Sequence, residues 1–101
     1  MYYLSMSSKY SKDLASILQM LKNIEEDLNL INYSETEKKI YYTIASKNSD
    51  NFTCRISDVI NESGFSRSTV YKTIKKFEDA SLIKMYQSSV DKREINLVLV
   101  H

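Results

Sequence analysis

At 101 residues, with 43% hydrophobic residues and a formal net charge of +1, the chain has the apolar content of one modest domain, and bulk basicity cannot identify a polyanionic partner. The single cysteine, Cys54, excludes an internal disulfide, and no apolar run approaches the length that spans a bilayer. The opening MYYLSMSSKY has neither a basic-then-apolar leader nor a small-residue cleavage pattern, so a reducing cytoplasm is the expected location.

From Tyr10 onward, Leu14, Ile17, Leu21, Ile24, Leu28 and Ile31 recur at alternating spacings of three and four, which predicts one long helix with a narrow apolar seam. Two uses of the seam stay open: packing on the chain's own core, or pairing with a second copy. The stretch YSETEKKIYYTIASK then begins a second helix. Ser34 and Glu37 have the spacing of a capping box, Ile40, Ile44 and Ala45 mark the inward stripe, and Asn48 to Asn51 supply turn chemistry at its end. Phe52 to Cys54 read as a short strand.

A short third helix follows, with Ile56, Val59 and Ile60 at helical spacing. Its start is weakly signalled, because Arg55 stands where a Ser, Thr or Asp cap is expected. It stops at Gly64, the one glycine of the chain. Ser66 caps a fourth helix two residues later. With Val70, Ile74 and Phe77 inward, Ser68, Lys72 and Lys75 point away and Tyr71 flanks them. Leu82 to Gln87 and Glu94 to Val100 read as two strands joined by SSVDKR, the second alternating Ile95, Leu97 and Leu99 on one face.

Positive charge gathers in this last part. Up to Phe65 there are seven Lys/Arg against nine Asp/Glu, a net of −2; from Ser66 to Arg93 there are seven against three, a net of +4. Two helices joined by a tight glycine turn and followed by a hairpin form a winged helix-turn-helix. The expected fold class is therefore mainly α with a small β-hairpin (α+β), with an extra long N-terminal helix. Residues 1–32 are expected to be a dimerisation element and residues 33–101 the DNA-binding domain.

The order and spacing of YSETEKKIYYTIA, ISDVINESGFSRSTVYKTIKKFEDASLI and DKREINLVLV resemble the MarR-type winged-helix regulators. The triplet Asp91, Lys92, Arg93 is similar to the acidic, any, arginine signature of that family's wing. The resemblance implies a sequence-specific regulator of transcription that binds double-stranded DNA, with residues 66–80 in the major groove and a wing at 84–95 on the adjacent minor groove or backbone. It also implies helices beyond the wing that build most of the dimer and the effector pocket. This sequence ends at His101, which puts a small-molecule effector in doubt and shifts the expected homodimer contact to the N-terminal seam of Leu14, Ile17, Leu21, Ile24, Leu28 and Ile31.

The candidate DNA-binding residues are Ser66, Arg67, Ser68, Thr69, Tyr71, Lys72, Lys75, Lys92 and Arg93. Ser68 and Tyr71 are expected nearest the bases, Arg67 on a guanine or a phosphate, and Lys72 and Lys75 on phosphates. Asp91 is expected to shape the wing by pairing with Arg93. A two-fold dimer would present two recognition helices about one DNA turn apart, matching an inverted repeat. The competing reading is a protein-protein adaptor in a replication or transcription complex. No cofactor, metal site or catalytic set is expected: Cys54 reads as core filler, His101 lacks clustered metal partners, and paired carboxylates or a phosphate loop are missing.

Overall fold

A computed structural model describes the backbone of residues 2–50 and 53–100 and the side chains of residues 9–50 and 53–100. Residues up to Asn32 and residues from Tyr33 onward form two compact units. The expectations for Asn51, Phe52 and His101 lie outside the described residues.

The first unit is α1 (Tyr2–Asp27) followed by a 3-10 turn (Leu30–Asn32). The expected single helix through Ile31 is corrected here. The Leu28 N–H still reaches the Ile24 carbonyl at 3.0 Å, but Asn29 takes a left-handed φ of 59°. Asn tolerates that region better than most residues, because its short amide bonds locally; here its Oδ1 accepts from Asn32 Nδ2 at 2.8 Å. Leu14, Ile17, Leu21 and Ile24 therefore lie on α1, whereas Leu28 sits in the turn and Ile31 in the 3-10 segment. Leu14, Ile17 and Ile24 are exposed on the single chain, and Leu21 and Leu28 are half-buried.

The second unit begins with α2 (Glu35–Ser49). Its capping box is present: Ser34 Oγ accepts from the Glu37 N–H at 3.1 Å, and Glu37 Oε1 accepts from the Ser34 N–H at 2.8 Å. Ile40, Tyr41 and Ile44 are buried and Ala45 half-buried, so the inward stripe includes a tyrosine that periodicity had left out. Asn48 is still helical. Its Nδ2 donates to the Leu97 carbonyl at 3.3 Å and its Oδ1 accepts from the Leu99 N–H at 2.9 Å, so this residue ties the helix to the sheet instead of ending it.

β1 (Cys54–Arg55) leads directly into α3 (Ile56–Ser63), and Gly64 closes α3 with a φ of 78°. α4 (Arg67–Asp79) follows, capped by Ser66. Ser81, at a φ of 61°, lets the Leu82 N–H return to the Phe77 carbonyl at 2.9 Å and turns the chain into β2 (Ile83–Gln87). β3 (Ile95–Leu99) completes an antiparallel sheet of order β1-β3-β2, in which Cys54 pairs Leu97 and Ile83 pairs Leu99. The short strand expected at Phe52 to Cys54 is described as Cys54–Arg55, and it joins the expected hairpin as a third strand.

The core joins Ile40 and Ile44 of α2, Ile56 and Val59 of α3, Val70, Ile74 and Phe77 of α4, and Ile83 and Leu97 of the sheet. Phe77 receives Tyr33 and Tyr41 edge-on, at ring-centre distances of 5.3 and 5.7 Å. Truncation of Phe77 to Ala should therefore cost about 3–5 kcal/mol in urea unfolding. Gly64→Ala meets no atom within 4 Å, so its loss should be only the left-handed backbone cost of about 1 kcal/mol. A much larger loss at Gly64 would mean that the turn is constrained by something other than φ.

Candidate nucleic-acid interface

α4 starts cleanly because Ser66 Oγ accepts from the Thr69 N–H at 3.2 Å. The same hydroxyl lies 2.9 Å from Thr69 Oγ1 and 3.3 Å from Ser68 Oγ. Thr69 is consequently drawn into the cap and half-buried, while Ser66, Arg67, Ser68, Tyr71, Lys72 and Lys75 are exposed. On the opposite side Val70, Thr73, Ile74 and Phe77 are sealed. A helix of 3.6 residues per turn with one face closed in this way offers Ser68, Lys72 and Lys75 as an outward ridge.

Two flanks border that ridge. Toward the wing, Arg67 and Tyr71 share a small cleft of about 100 Å³ with Arg55, Ser57, Arg93 and Glu94. Toward α2, Thr69 and Lys72 line an open groove with Ser34, Thr36, Glu37 and Lys76. The structure thus brings Arg67, Tyr71 and Arg93 together and sends Lys72 to the other side.

The wing loop, Ser88 to Glu94, is held by its own bonds. The Ser88 N–H donates to the Glu94 carbonyl at 2.9 Å, and Ser88 Oγ accepts from Val90 and Asp91 N–H groups, each at 3.2 Å. Asp91 Oδ1 accepts from the Arg93 N–H at 3.0 Å and lies 3.3 Å from its Nε, the pairing anticipated for this triplet. Gln87 Nε2 donates to the Lys92 carbonyl at 2.7 Å, leaving the Lys92 ammonium outside.

Two cations that sequence reasoning passed over are structural anchors. Lys76 reaches across to α2, where its Nζ donates to Glu37 Oε2 at 2.9 Å and sits 5.0 Å from the Tyr33 ring centre. Arg55 Nη1 donates to Glu94 Oε1 at 2.9 Å. No local pattern marks either residue, since each partner is 39 positions away. Lys75 lies 3.6 Å from both Glu78 and Asp79, so its charge is partly offset on its own helix. Among the described residues, Arg67, Lys72 and Lys92 have no ion-pair partner.

Burial pushes the Cys54 thiol up to about 11, which suits a core residue and not a nucleophile. Among the described residues no three His, Cys, Asp or Glu side chains cluster as a metal site would require, and no helix is long and apolar enough to cross a membrane.

No family model and no curated protein matches the chain. Solved structures of similar fold include the heme sensor PefR from Streptococcus agalactiae in complex with heme, at a TM-score of 0.61 and 17% identity, over 93% of this chain and 63% of that one. MepR from S. aureus in complex with DNA is similar at a TM-score of 0.58 and 18% identity, over 90% and 71% of the two chains. AbsC, a MarR family transcriptional regulator from Streptomyces coelicolor, gives 0.59 and 20%, over 92% and 62%. The chain therefore has the winged-helix fold of MarR-family regulators, and it spans 63% of the length of heme-bound PefR.

The Glu37 carboxylate sits below its ordinary value of 4.5, first because it accepts the Ser34 N–H and second because Lys76 donates to it. A lowered carboxylate contributes stability that is complete above its unfolded value and lost as pH falls through the folded one. Urea midpoints should accordingly drop on acidification below about pH 4.5, and Glu37→Gln should flatten that limb. An equally steep acid limb in Glu37→Gln would show that other groups govern it.

Proposed function

We propose that this chain is a MarR-type, sequence-specific double-stranded-DNA-binding regulator of transcription, acting in the cytoplasm and without catalysis. The observation that carries the reading is the two-sidedness of α4: a sealed face of Val70, Ile74 and Phe77 behind an outward ridge of Ser68, Lys72 and Lys75. MepR, of similar fold, was solved with DNA, which supports the same partner here.

In this reading residues 66–80 enter the major groove and the wing, 84–95, lies on the adjacent minor groove or backbone. Ser68 and Tyr71 face base edges; Arg67 reads a guanine or holds a phosphate; Lys72, Lys75, Lys92 and Arg93 neutralise phosphates, with Ser66 and Thr69 shaping the helix start. No cofactor enters the mechanism. α1 supplies the homodimer contact through Leu14, Ile17, Leu21 and Ile24, with Leu28 and Ile31 extending it past the helix end. The exposure of Leu14, Ile17 and Ile24 along a helix of 26 residues supports that assignment. Two copies would then read an inverted repeat, because one module alone buries little DNA surface.

A mobility shift with random-sequence duplex at low salt tests the class directly, and failure to bind would favour a protein-docking winged helix. Lys72→Ala should lower the slope of log affinity against log salt by about 1, as expected for one lost phosphate contact. Lys75→Ala should lower it less, given its pairing with Glu78 and Asp79. An unchanged slope in both variants would reject the phosphate roles. For the dimer, Ile17→Lys should yield monomers by sedimentation; retention of the wild-type mass would sink the α1 assignment.

A further inference from the structure

Arg55, Asp58 and Glu94 form a cluster to which the DNA reading gives no role. Arg55 is the last residue of β1 and the N-cap of α3. The Asp58 carboxylate accepts its backbone N–H at 3.1 Å and lies 3.5 Å from its Nε, while Nη1 donates to Glu94 Oε1 at 2.9 Å. Glu94 is where the wing closes, for its carbonyl accepts from Ser88 and its N–H donates to the Asp91 carbonyl at 3.0 Å. One guanidinium thus spans from the first turn of α3 to the base of the wing. Of the other side-chain bonds described above for the wing loop, one comes from Gln87 at the end of β2 and the rest are internal to it. Among the described residues, Arg55 to Glu94 is the one ion pair that joins the loop to the rest of its unit.

We infer that Arg55 is the positioning residue of the wing, setting the angle at which it leaves the sheet relative to α4. The consequence is a fixed separation between Arg93 on the wing and Arg67 on α4, which line the same cleft and would meet one backbone together. Arg55 itself is already held by two carboxylates, so it orients the DNA ligands and is not one of them. The pair is partly exposed, at 45% and 39%, and an isolated surface pair of this kind is weak. Here the ordering cost is reduced, because the Arg55 backbone is fixed by pairing with Asn96 and by the α3 cap. The inference rests on the DNA-binding reading above, and its test separates the two.

The full chain would be compared with Arg55→Glu, Glu94→Arg and the double exchange. In free protein, exchange of the Ser88 and Glu94 amides should quicken by about threefold in each single variant and return toward wild type in the double. Glu94→Arg leaves the α3 cap intact, so a folding defect in Arg55→Glu cannot hide the result. On DNA, hydroxyl-radical protection at the outer, wing-covered positions should fade in both single variants while the central protection of α4 persists, and the double exchange should restore it. The protection pattern is the proper readout, since Glu94→Arg adds positive charge and raises affinity nonspecifically. Wild-type wing exchange in both single variants would overturn the inference, as would a double exchange that folds but does not recover. So would Arg55→Gln that lowers the salt slope by about one phosphate with wing exchange unchanged, since Arg55 would then be a direct contact. Absence of any duplex binding by the wild type would defeat the DNA reading alone, and the exchange measurement would still decide the wing linkage.

Discussion

Burial of Val70, Ile74 and Phe77 along one side of α4 is the constraint on which the rest of the second unit depends. Phe77 is its centre, with Tyr33 and Tyr41 presenting ring edges to it and Ile40 and Ile44 of α2 in the same core. A helix locked by its apolar face cannot rotate about its axis without exposing those side chains. The azimuth of Ser68, Lys72 and Lys75 is therefore a by-product of core packing. Lys76 and Glu37 add a polar restraint at the margin, and the capping box that orients Glu37 belongs to the start of α2. Local helix chemistry in one segment thereby helps to hold the orientation of another.

The charge balance makes sense only after pairing is considered. A chain with a net charge of +1 would make a poor electrostatic partner for a polyanion if its cations were all equally available. They are not. Lys38, Lys47, Arg55 and Lys76 are committed to carboxylates within the second unit, whereas Arg67, Lys72 and Lys92 have none among the described residues. Lys39 on α2 is likewise without an ion pair among them, so pairing does not confine the free cations to one face, but it leaves three of them on α4 and the wing.

Much of the fold was legible because it is encoded over short distances. A hydroxyl and a carboxylate three residues apart begin α2, the one glycine ends α3 at a left-handed φ, and a serine begins α4. What escaped was of two kinds. The break at Asn29 was hidden because Leu28 and Ile31 keep the helical spacing even though the backbone no longer follows it. The others are long-range: Cys54 and Arg55 pairing with β3, Arg55 with Glu94, Lys76 with Glu37, and Asn48 with Leu97 and Leu99. Each joins residues roughly forty or more positions apart, beyond anything that periodicity or capping can register. Of the candidate surface residues, exposure of Ser68, Lys72 and Lys75 followed from the inward triad alone. The inward drift of Thr69 did not, because it depends on which way the Ser66 hydroxyl turns.

The Asn48 side chain has an implication for how the sheet is closed. Among the described residues β1 pairs with β3 no further than Leu97, and the next main-chain donor of β3 on that side is the Leu99 N–H. The amide of Asn48 occupies both the Leu97 carbonyl and the Leu99 N–H from the α2 side. It acts as a stopper where the described pairing of β1 with β3 ends, and unfilled backbone groups at such an end are what strands of separate molecules use to stack into fibrils. Closure of that margin is therefore entrusted in part to one helical asparagine that lies outside the outward ridge of α4.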